Sequence, residues 1–414
     1  MAPVEREAVL VALDVGTNKV VALIGEVARD GSVTVIGKGA VPSAGIKKGV
    51  VVNIDQTVSS ITAAREAAER VSGYRIESTI VGIGGNHVES MNSRGAVAVS
   101  GPRREVTRED IERATEVARA VTIPSNREVL HVLPRGFVVD GQEGVKDPLG
   151  MSAVRLEVET HIVHGSGTAI QNLTKCVGRA EIKIDELVAA SLASADAVLT
   201  DTERELGVAV GDFGAGTLDL ALFMEGSPFH SAVLPLGGNN VTNDIAIGLK
   251  TSLAAAEELK IRVGTADPSG IDKDEQVDVA GIGEGDASSA SRYELALIIE
   301  ARMREVFEKI GEQIEKAGAG GMLPAGLVLT GGAAQLTGAA RLGREVLQMP
   351  VRVAGPSGVS GLTDHLLTPA YSTALGLLIW GAQTVHGDES RSYESTPGPG
   401  ILGRARDWAR GLLP

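Results

Sequence analysis

Two short loops of aspartate, glycine and threonine constrain this chain most. The first reads LDVGTNK at residues 13–19 and the second GDFGAGTLD at residues 211–219. Apolar, β-branched runs flank each loop: VLVALD and VVALIGEVA around the first, GVAVGDF and LDLALF around the second. Each copy predicts a strand, a tight turn and a second strand, with a carboxylate at the last strand position. Glycines at 16, 214 and 216 admit positive φ and bring backbone amides close to an anion. Asp14 and Asp212 are then expected to face one cleft and hold a hydrated Mg²⁺ over the phosphates of a nucleotide. A single Asp-x-Gly also marks ordinary turns. Two copies, each opening a β-meander followed by a helix, predict a duplicated nucleotide-clamping domain.

Length and composition agree with a two-lobed body. A chain of 414 residues accommodates about three domains, and 43% hydrophobic residues supply their cores. Only 3% of residues are aromatic and 52 are glycine, so the cores should be Ala/Val/Ile-packed and turn-rich. A net charge of −14 excludes a nucleic-acid-binding body. Cys176 is the single cysteine, which excludes an intramolecular disulfide and a cysteine zinc cluster; its setting, TAIQNLTKCVGRA, predicts a buried helical thiol. The opening MAPVERE is polar and charged, unlike a signal peptide, and the longest apolar stretch, ALGLLIWGA, is too short to span a bilayer. A soluble, cytoplasmic main body is expected.

Along the chain, strands near 8–14, 19–28 and 33–41 precede a helix over 53–71 and a strand ending at Gly85, the opening of a first lobe (1–85). Residues 86–164 break the pattern and read as an inserted small α/β subdomain, whose helix starts at a capping box, Thr107 to Asp110. The first lobe continues over 165–206 as helices reaching Leu199. A second lobe covers 207–368, with a variable part at about 239–324. That part includes an acidic surface excursion (265–290) and a long helix (291–316). A closing helix (369–386) returns to the first lobe, followed by a linker (387–400) and a terminal helix (401–414).

Two Asp-Gly-Thr hairpins, a Glu-x-x-Lys helix (Glu257, Lys260) and a Leu-Thr-Gly-Gly turn (329–332), in that order, resemble the actin, heat-shock-chaperone and sugar-kinase ATPase superfamily. Finer features are similar to one branch, the bacterial cell-division FtsA family: HVLPRGFVVDGQEGVKDPLGM (131–151), GGNNVTNDIA (237–246), LASADAVL (192–199) and the amphipathic tail. The resemblance covers essentially the whole chain. It implies an α/β fold of duplicated ribonuclease-H-like lobes, actin-like, with the inserted subdomain and a C-terminal amphipathic helix. It further implies binding of ATP and Mg²⁺, polymerisation into actin-like filaments, and tethering of the FtsZ ring to the inner face of the cell membrane at the division septum, where later division proteins are recruited.

The implied site carries over residue by residue. Asp14, Gly16, Thr17, Asn18 and Lys19 match the first phosphate loop; Asp212, Gly214, Gly216 and Thr217 match the second. Gly237, Gly238 and Asn239 are placed beside ribose and phosphate, and Glu257 and Lys260, one turn apart on one helix face, beside ribose and adenine. Gly331 and Gly332 let the base lie against the backbone, with Ala333 and Leu336 beside it. Asp14 and Asp212 hold the Mg²⁺ through water. One departure bears on turnover. Hydrolysing relatives place a glutamate to orient water where this chain has Ala190-Ser191, so slow hydrolysis is expected and no catalytic residue is assigned. Glu186, one turn earlier, reads as a solvated helix residue. Partner binding is expected near the long helix, at Arg302 and Arg304, where FtsA relatives receive the FtsZ C-terminal peptide; ordinary helix pairing such as Glu300 with Arg304 is the plainer reading of either arginine alone.

The tail ILGRARDWARGLLP follows the linker GDESRSYESTPGPG, a coil reaching roughly 20 Å. On a helix, Ile401, Leu402, Ala405, Trp408, Ala409, Leu412 and Leu413 fall within an arc of roughly 140°, with Arg404, Arg406 and Arg410 opposite. This pattern predicts reversible attachment to an anionic membrane surface, against the commoner alternative of a helix packed on its own protein. His161 and His164 sit three apart on a strand and form no convincing metal site. A pilus-assembly relative of FtsA and a small-molecule kinase of the superfamily remain as alternatives. A heat-shock chaperone would need a substrate domain beyond the second lobe.

Overall fold

The structure, a computed structural model, describes residues 6–100, 103–280, 287–362 and 364–385. The linker and the amphipathic tail therefore lie outside the described residues.

Strands β1 (Arg6–Val15), β2 (Lys19–Ala28) and β3 (Val33–Pro42) form the first antiparallel meander. A short hairpin, β4 (Ile46–Lys47) and β5 (Val50–Val51), leads into α1 (Ile54–Ser72). Asn53 caps α1 by accepting from the Gln56 amide, and Ile61, Ala64 and Ala68 form its buried face. Gly39 makes this packing close: a Cβ there would stand 1.9 Å from the Ala64 carbonyl oxygen. Strand β6 (Ser78–Ile83) then runs parallel to β1.

The intervening segment contains β7 (Glu89–Ala98), α2 (Arg108–Arg119), β8 (Arg127–Val139), β9 (Gln142–Val145) and β10 (Arg155–Ser166). The capping box at α2 is present: Asp110 accepts from the Thr107 amide at 3.0 Å, and Thr107 Oγ1 accepts from the Asp110 amide at 3.3 Å. Next come α3 (Gly167–Arg179), β11 (Lys183–Ala189), α4 (Ala190–Val198) and α5 (Asp201–Leu206). The run of helices expected to reach Leu199 is thus interrupted by a strand. Glu186 lies on β11, where it accepts a hydrogen bond from the Trp380 indole at 2.9 Å, and is not a solvated helix residue. Cys176 is buried in α3, as its setting predicts, and burial raises its thiol pKa.

The second meander is β12 (Val208–Phe213), β13 (Leu218–Met224) and β14 (Ser227–Leu234). It is followed by α6 (Gly238–Gly248), α7 (Leu253–Val263), the hairpin β15 (Gln276–Ala280) with β16 (Ala287–Ser291), and α8 (Arg292–Lys316). The presumed surface excursion therefore carries regular structure. Strand β17 (Leu327–Thr330), α9 (Ala339–Leu347), β18 (Val351–Val353), β19 (Val359–Gly361) and α10 (Ser372–Val385) complete the described chain.

One six-stranded sheet has the order β11-β6-β1-β2-β3-β19. The second has nine strands, β18-β17-β12-β13-β14-β7-β10-β8-β9, so the inserted segment extends the second lobe's sheet. That junction is a seam of side chains. Only Ala232 and Glu89 pair as strand residues. Ser90 exchanges hydrogen bonds with the Ser231 backbone, both at 2.8 Å, and Asn92 donates to the Phe229 carbonyl at 2.9 Å. Fully buried His161 bridges Asn92 at 2.8 Å and Ser231 Oγ at 3.0 Å. One apolar core gathers the first lobe and one face of β12 and β13 (Val208, Val210, Ala221, Phe223), a second lies on their other face (Ala209, Leu220, Leu222), and a third lies under α2. Helix α10 packs on α4 with Gly376 against the Ala193 carbonyl, where a Cβ would stand 1.8 Å away.

Candidate functional site

The two hairpins meet. In the first, the Gly16 amide bonds to the Lys19 carbonyl at 3.0 Å; in the second, Gly214 does the same to Thr217 at 2.9 Å. A Cβ on Gly216 would stand 2.6 Å from Thr17 Oγ1, and Thr17 itself accepts from the Gly49 amide at 3.2 Å. Gly16, Gly214 and Gly216 are not among the positive-φ glycines. The expected conformational role is therefore corrected: Gly216 allows the close approach of the two turns, whereas a Cβ on Gly16 would crowd the Lys19 carbonyl at 2.9 Å and one on Gly214 the Thr217 carbonyl at 3.3 Å, each within its own turn.

Between them opens a cleft of about 590 Å³. It is lined by every residue assigned above to the nucleotide except Gly237. Gly237 lies behind the wall, where a Cβ would meet the Ala215 carbonyl at 2.3 Å. Its role is to seat α6: the Gly238 and Asn239 amides donate to the Gly214 and Ala215 carbonyls, each at 2.9 Å. Further in, Lys260 Nζ bonds to Glu257 at 2.7 Å, to Thr242 Oγ1 at 2.8 Å and to the Gly238 carbonyl at 3.2 Å, tying α7 to the start of α6. Gly331 has φ of 87°, and a Cβ there would stand 2.4 Å from Asp212 Oδ1. At Gly332, by contrast, the nearest atom to an added Cβ is Ala370 Cβ at 3.8 Å.

The floor of the cleft is rich in carboxylates. Burial raises the Asp14 carboxyl to about 6, with the charge of Asp212 adding. Burial also raises Asp212, against the opposing hydrogen bond from Thr373 Oγ1 at 2.6 Å. A third carboxylate was missed in the sequence reading. Asp219 pairs opposite Asp212 across β12 and β13, accepts from Thr217 Oγ1 at 2.9 Å, and is pushed by burial and by Asp212 to about 7. A Cβ on Gly84 would stand 2.9 Å from Asp219 Oδ1 and 3.5 Å from Ala190 Cβ, so this carboxylate and Ala190 both border Gly84. Asp219 on β13 stands two residues after Thr217, which precedes the strand, and that i, i+2 spacing in an extended segment is the signal that could have found it. Lys19 is the cation among them, lowered to about 8 by burial. Three carboxylates against one ammonium leave the floor short of positive charge, which suits a hydrated divalent cation. No group of three or more His, Cys, Asp or Glu side chains gathers for direct metal coordination among the described residues.

Arg302 and Arg304 lie on α8 and do not line this cleft, although Met303 between them does. Arg302 pairs with Asp244 at 3.0 Å and with Glu305, and Arg304 pairs with Glu300 at 3.0 Å and Glu345 at 2.8 Å. His131, His161 and His164 are buried on β8 and β10, where desolvation depresses all three; His131 falls to about 4 and His161 to about 3. A second hollow, of about 740 Å³, is bordered by the inserted segment and by both lobes, with Trp380, Phe223 and Phe137 in its wall. Among the described residues, no helix is long and apolar enough to cross a membrane.

Two sheet-based lobes closing on paired phosphate-type hairpins define an actin-like protein. Chains of the same architecture include one from a PilM-PilN type IV pilus biogenesis complex, with a TM-score of 0.63 at 17% identity, covering 90% of this chain and 98% of that one. MreB5 of Spiroplasma citri bound to ADP has a TM-score of 0.56 at 12% identity, covering 93% and 100%. At these identities the likeness concerns the fold. Sequence goes further. Residues 85–164 match the SHS2 domain inserted in FtsA, and residues 209–376 match cell division protein FtsA. Cell division protein FtsA of Pseudomonas aeruginosa is 45% identical over 99% of this chain and 100% of its own length. Those of Neisseria meningitidis and Bacillus subtilis are 40% and 41% identical, over 96% and 89% of this chain and 96% and 82% of theirs. The chain belongs to the FtsA family of cell division proteins. That membership favours the cell-division reading over a pilus-assembly role.

Proposed function

We propose that this protein binds ATP with Mg²⁺ in the interlobe cleft, assembles into actin-like filaments, and links the FtsZ ring to the cytoplasmic face of the membrane at the septum. The observation that carries the nucleotide reading is the juxtaposition of the two glycine hairpins over Asp14, Asp212 and Lys19, with an open backbone platform at Gly332. Amides of the hairpins and the Lys19 ammonium provide donors for phosphate oxygens. Asp14 and Asp212 provide acceptors for water around the metal, which on binding would neutralise phosphate charge. Glu257 and Lys260 border the ribose and adenine end, and Ala333 and Leu336 the base. Hydrolysis is slow in this reading because Ala190 and Ser191 present no water-orienting carboxylate of their own. Nucleotide then acts mainly as a ligand that closes the lobes and favours polymerisation.

The membrane link rests on the tail sequence. Ile401, Leu402, Ala405, Trp408, Leu412 and Leu413 enter the lipid interface, and Arg404, Arg406 and Arg410 meet anionic headgroups. Filament assembly adds such weak anchors in parallel. The FtsZ peptide is assigned to the region of Arg302 and Arg304, whose guanidinium groups would have to exchange their present carboxylate partners for those of the peptide. Co-sedimentation with anionic vesicles, with and without ATP and FtsZ, tests the whole reading. Protein and FtsZ should pellet together, more completely with ATP. Trp408→Glu should abolish pelleting without lowering the melting temperature. Binding that persists after deletion of 401–414 refutes the tether.

A further inference from the structure

Tyr371 ends the short 3₁₀ turn Pro369–Tyr371, where the chain crosses from the second lobe into α10. The second lobe fastens one side of this turn. The Gly331 amide donates to the Pro369 carbonyl at 3.0 Å, and the Thr330 and Ser372 hydroxyls meet at 2.6 Å. On the other side, Lys19 Nζ of the first hairpin lies 3.3 Å from the centre of the Tyr371 ring, and Lys38 Nζ approaches the same ring at 4.9 Å. Thr373, two residues further, donates to Asp212 of the second hairpin. A five-residue strap thus touches the lysine of one hairpin and the aspartate of the other.

Lys19 carries a compact charge on a flexible four-carbon stem, so its ammonium needs something to hold it over the cleft. A carboxylate would occupy its N–H donors. An aromatic face attracts the cation through its quadrupole and leaves those donors free to turn towards another acceptor. The Lys38 ammonium at the same ring repels Lys19 and disfavours its retreat in that direction.

We propose that Tyr371 is a positioning residue for Lys19: its ring fixes the ammonium above Asp14 and Asp212 while sparing the N–H donors for phosphate. The consequence for ligand binding rests on the nucleotide reading above; the contact itself does not.

The test compares Tyr371→Leu, which keeps an apolar group against the first-lobe core, with Tyr371→Phe, which keeps the π face, each with and without Lys19→Ala. By calorimetry, Tyr371→Leu should weaken ATP–Mg²⁺ binding about tenfold, the scale of a cation–π contact in a partly desolvated site, and Tyr371→Phe by less than about twofold. In the Lys19→Ala background, Tyr371→Leu should have no further effect, because the ring acts through the lysine. Additive losses, or loss in Tyr371→Phe equal to that in Tyr371→Leu, overturn the proposal, since a merely structural role would show either. A second arm needs no nucleotide. Acetylation of Lys19 by an N-hydroxysuccinimide ester at pH 8, followed by peptide mass spectrometry, should accelerate severalfold in Tyr371→Leu and not in Tyr371→Phe. An unchanged rate overturns the contact. A changed rate in a protein that binds no ATP would overturn the nucleotide reading and leave the positioning role standing.

Discussion

Adjacent glycines at the base end of the cleft are expected to respond oppositely to substitution. In Gly332→Val the new Cβ meets only Ala370 Cβ, at 3.8 Å, an ordinary van der Waals contact, and φ lies outside the left-handed region. Folding stability should therefore stay within about 0.5 kcal/mol of the parent, as for a surface change that disturbs no packed neighbour. The added carbons project into the space proposed for the base, so ATP affinity should fall at least tenfold, about 1.4 kcal/mol or more. Gly331→Ala differs in both respects. Its φ of 87° costs an alanine about 1–2 kcal/mol. Its Cβ would also stand 2.4 Å from Asp212 Oδ1 and 2.5 Å from the Phe213 carbonyl, so the β12 end must shift. This variant should lose stability and ATP affinity together. Urea unfolding beside calorimetric titration with ATP–Mg²⁺ separates the two outcomes. Unchanged ATP affinity in Gly332→Val, in a protein of normal stability, would refute the placement of the base.

Acidification should destabilise the protein through its buried histidines. The unfolded chain protonates near pH 6.5, whereas native His161 stays neutral to about 3, so the unfolded state binds more protons and stability falls as pH drops from 7 to 5, by about 2 kcal/mol for this one group. Asp14 and Asp219, raised to about 6 and about 7, act in the opposite sense, so the comparison is with His161→Gln, which should flatten the profile by that amount; an identical slope contradicts the assignment. ATP turnover should remain well below the order of 1 s⁻¹, and a faster steady-state rate would place a water-orienting group where none is assigned, with Asp219, which borders Gly84 as Ala190 does, the first residue to replace. Asp212→Ala, which removes the Thr373 partner and a cleft carboxylate, should weaken Mg²⁺-dependent ATP binding by at least about tenfold in calorimetry; equal affinity with and without the change removes Asp212 from the site. Reversing both Arg302 and Arg304 to Glu should lower FtsZ-peptide affinity in fluorescence anisotropy, and an unaltered affinity moves the peptide site elsewhere.

Local signals in the sequence sufficed for much of this architecture. Alternating apolar residues around LDVGTNK and GDFGAGTLD specify two strand–turn–strand units, because side-chain period and turn chemistry act over a few residues. The capping box of Thr107 and Asp110 and the helical setting of Cys176 were legible for the same reason. Pairing the two hairpins into one cleft also came from sequence, through their repetition and family resemblance. Tertiary structure decided what depends on contacts between distant segments. Glu186 was placed on a helix by its neighbours, yet parallel pairing with β6 draws its segment into a strand and Trp380 occupies its carboxylate. Gly237 shares a motif with the lining residues but sits behind them, since α6 docks through its first amides onto the second hairpin. The fusion of the inserted segment to the second lobe depends on Ser90 and Asn92 reaching backbone groups near residue 230 and on His161 reaching the Ser231 hydroxyl, and no short-range pattern encodes that encounter. Tyr371 and Thr373 likewise meet Lys19 and Asp212 only because α10 closes the chain across both lobes. The composition of a cleft that joins the two halves of a chain is set by which surfaces pack, and that selection is made by the whole fold.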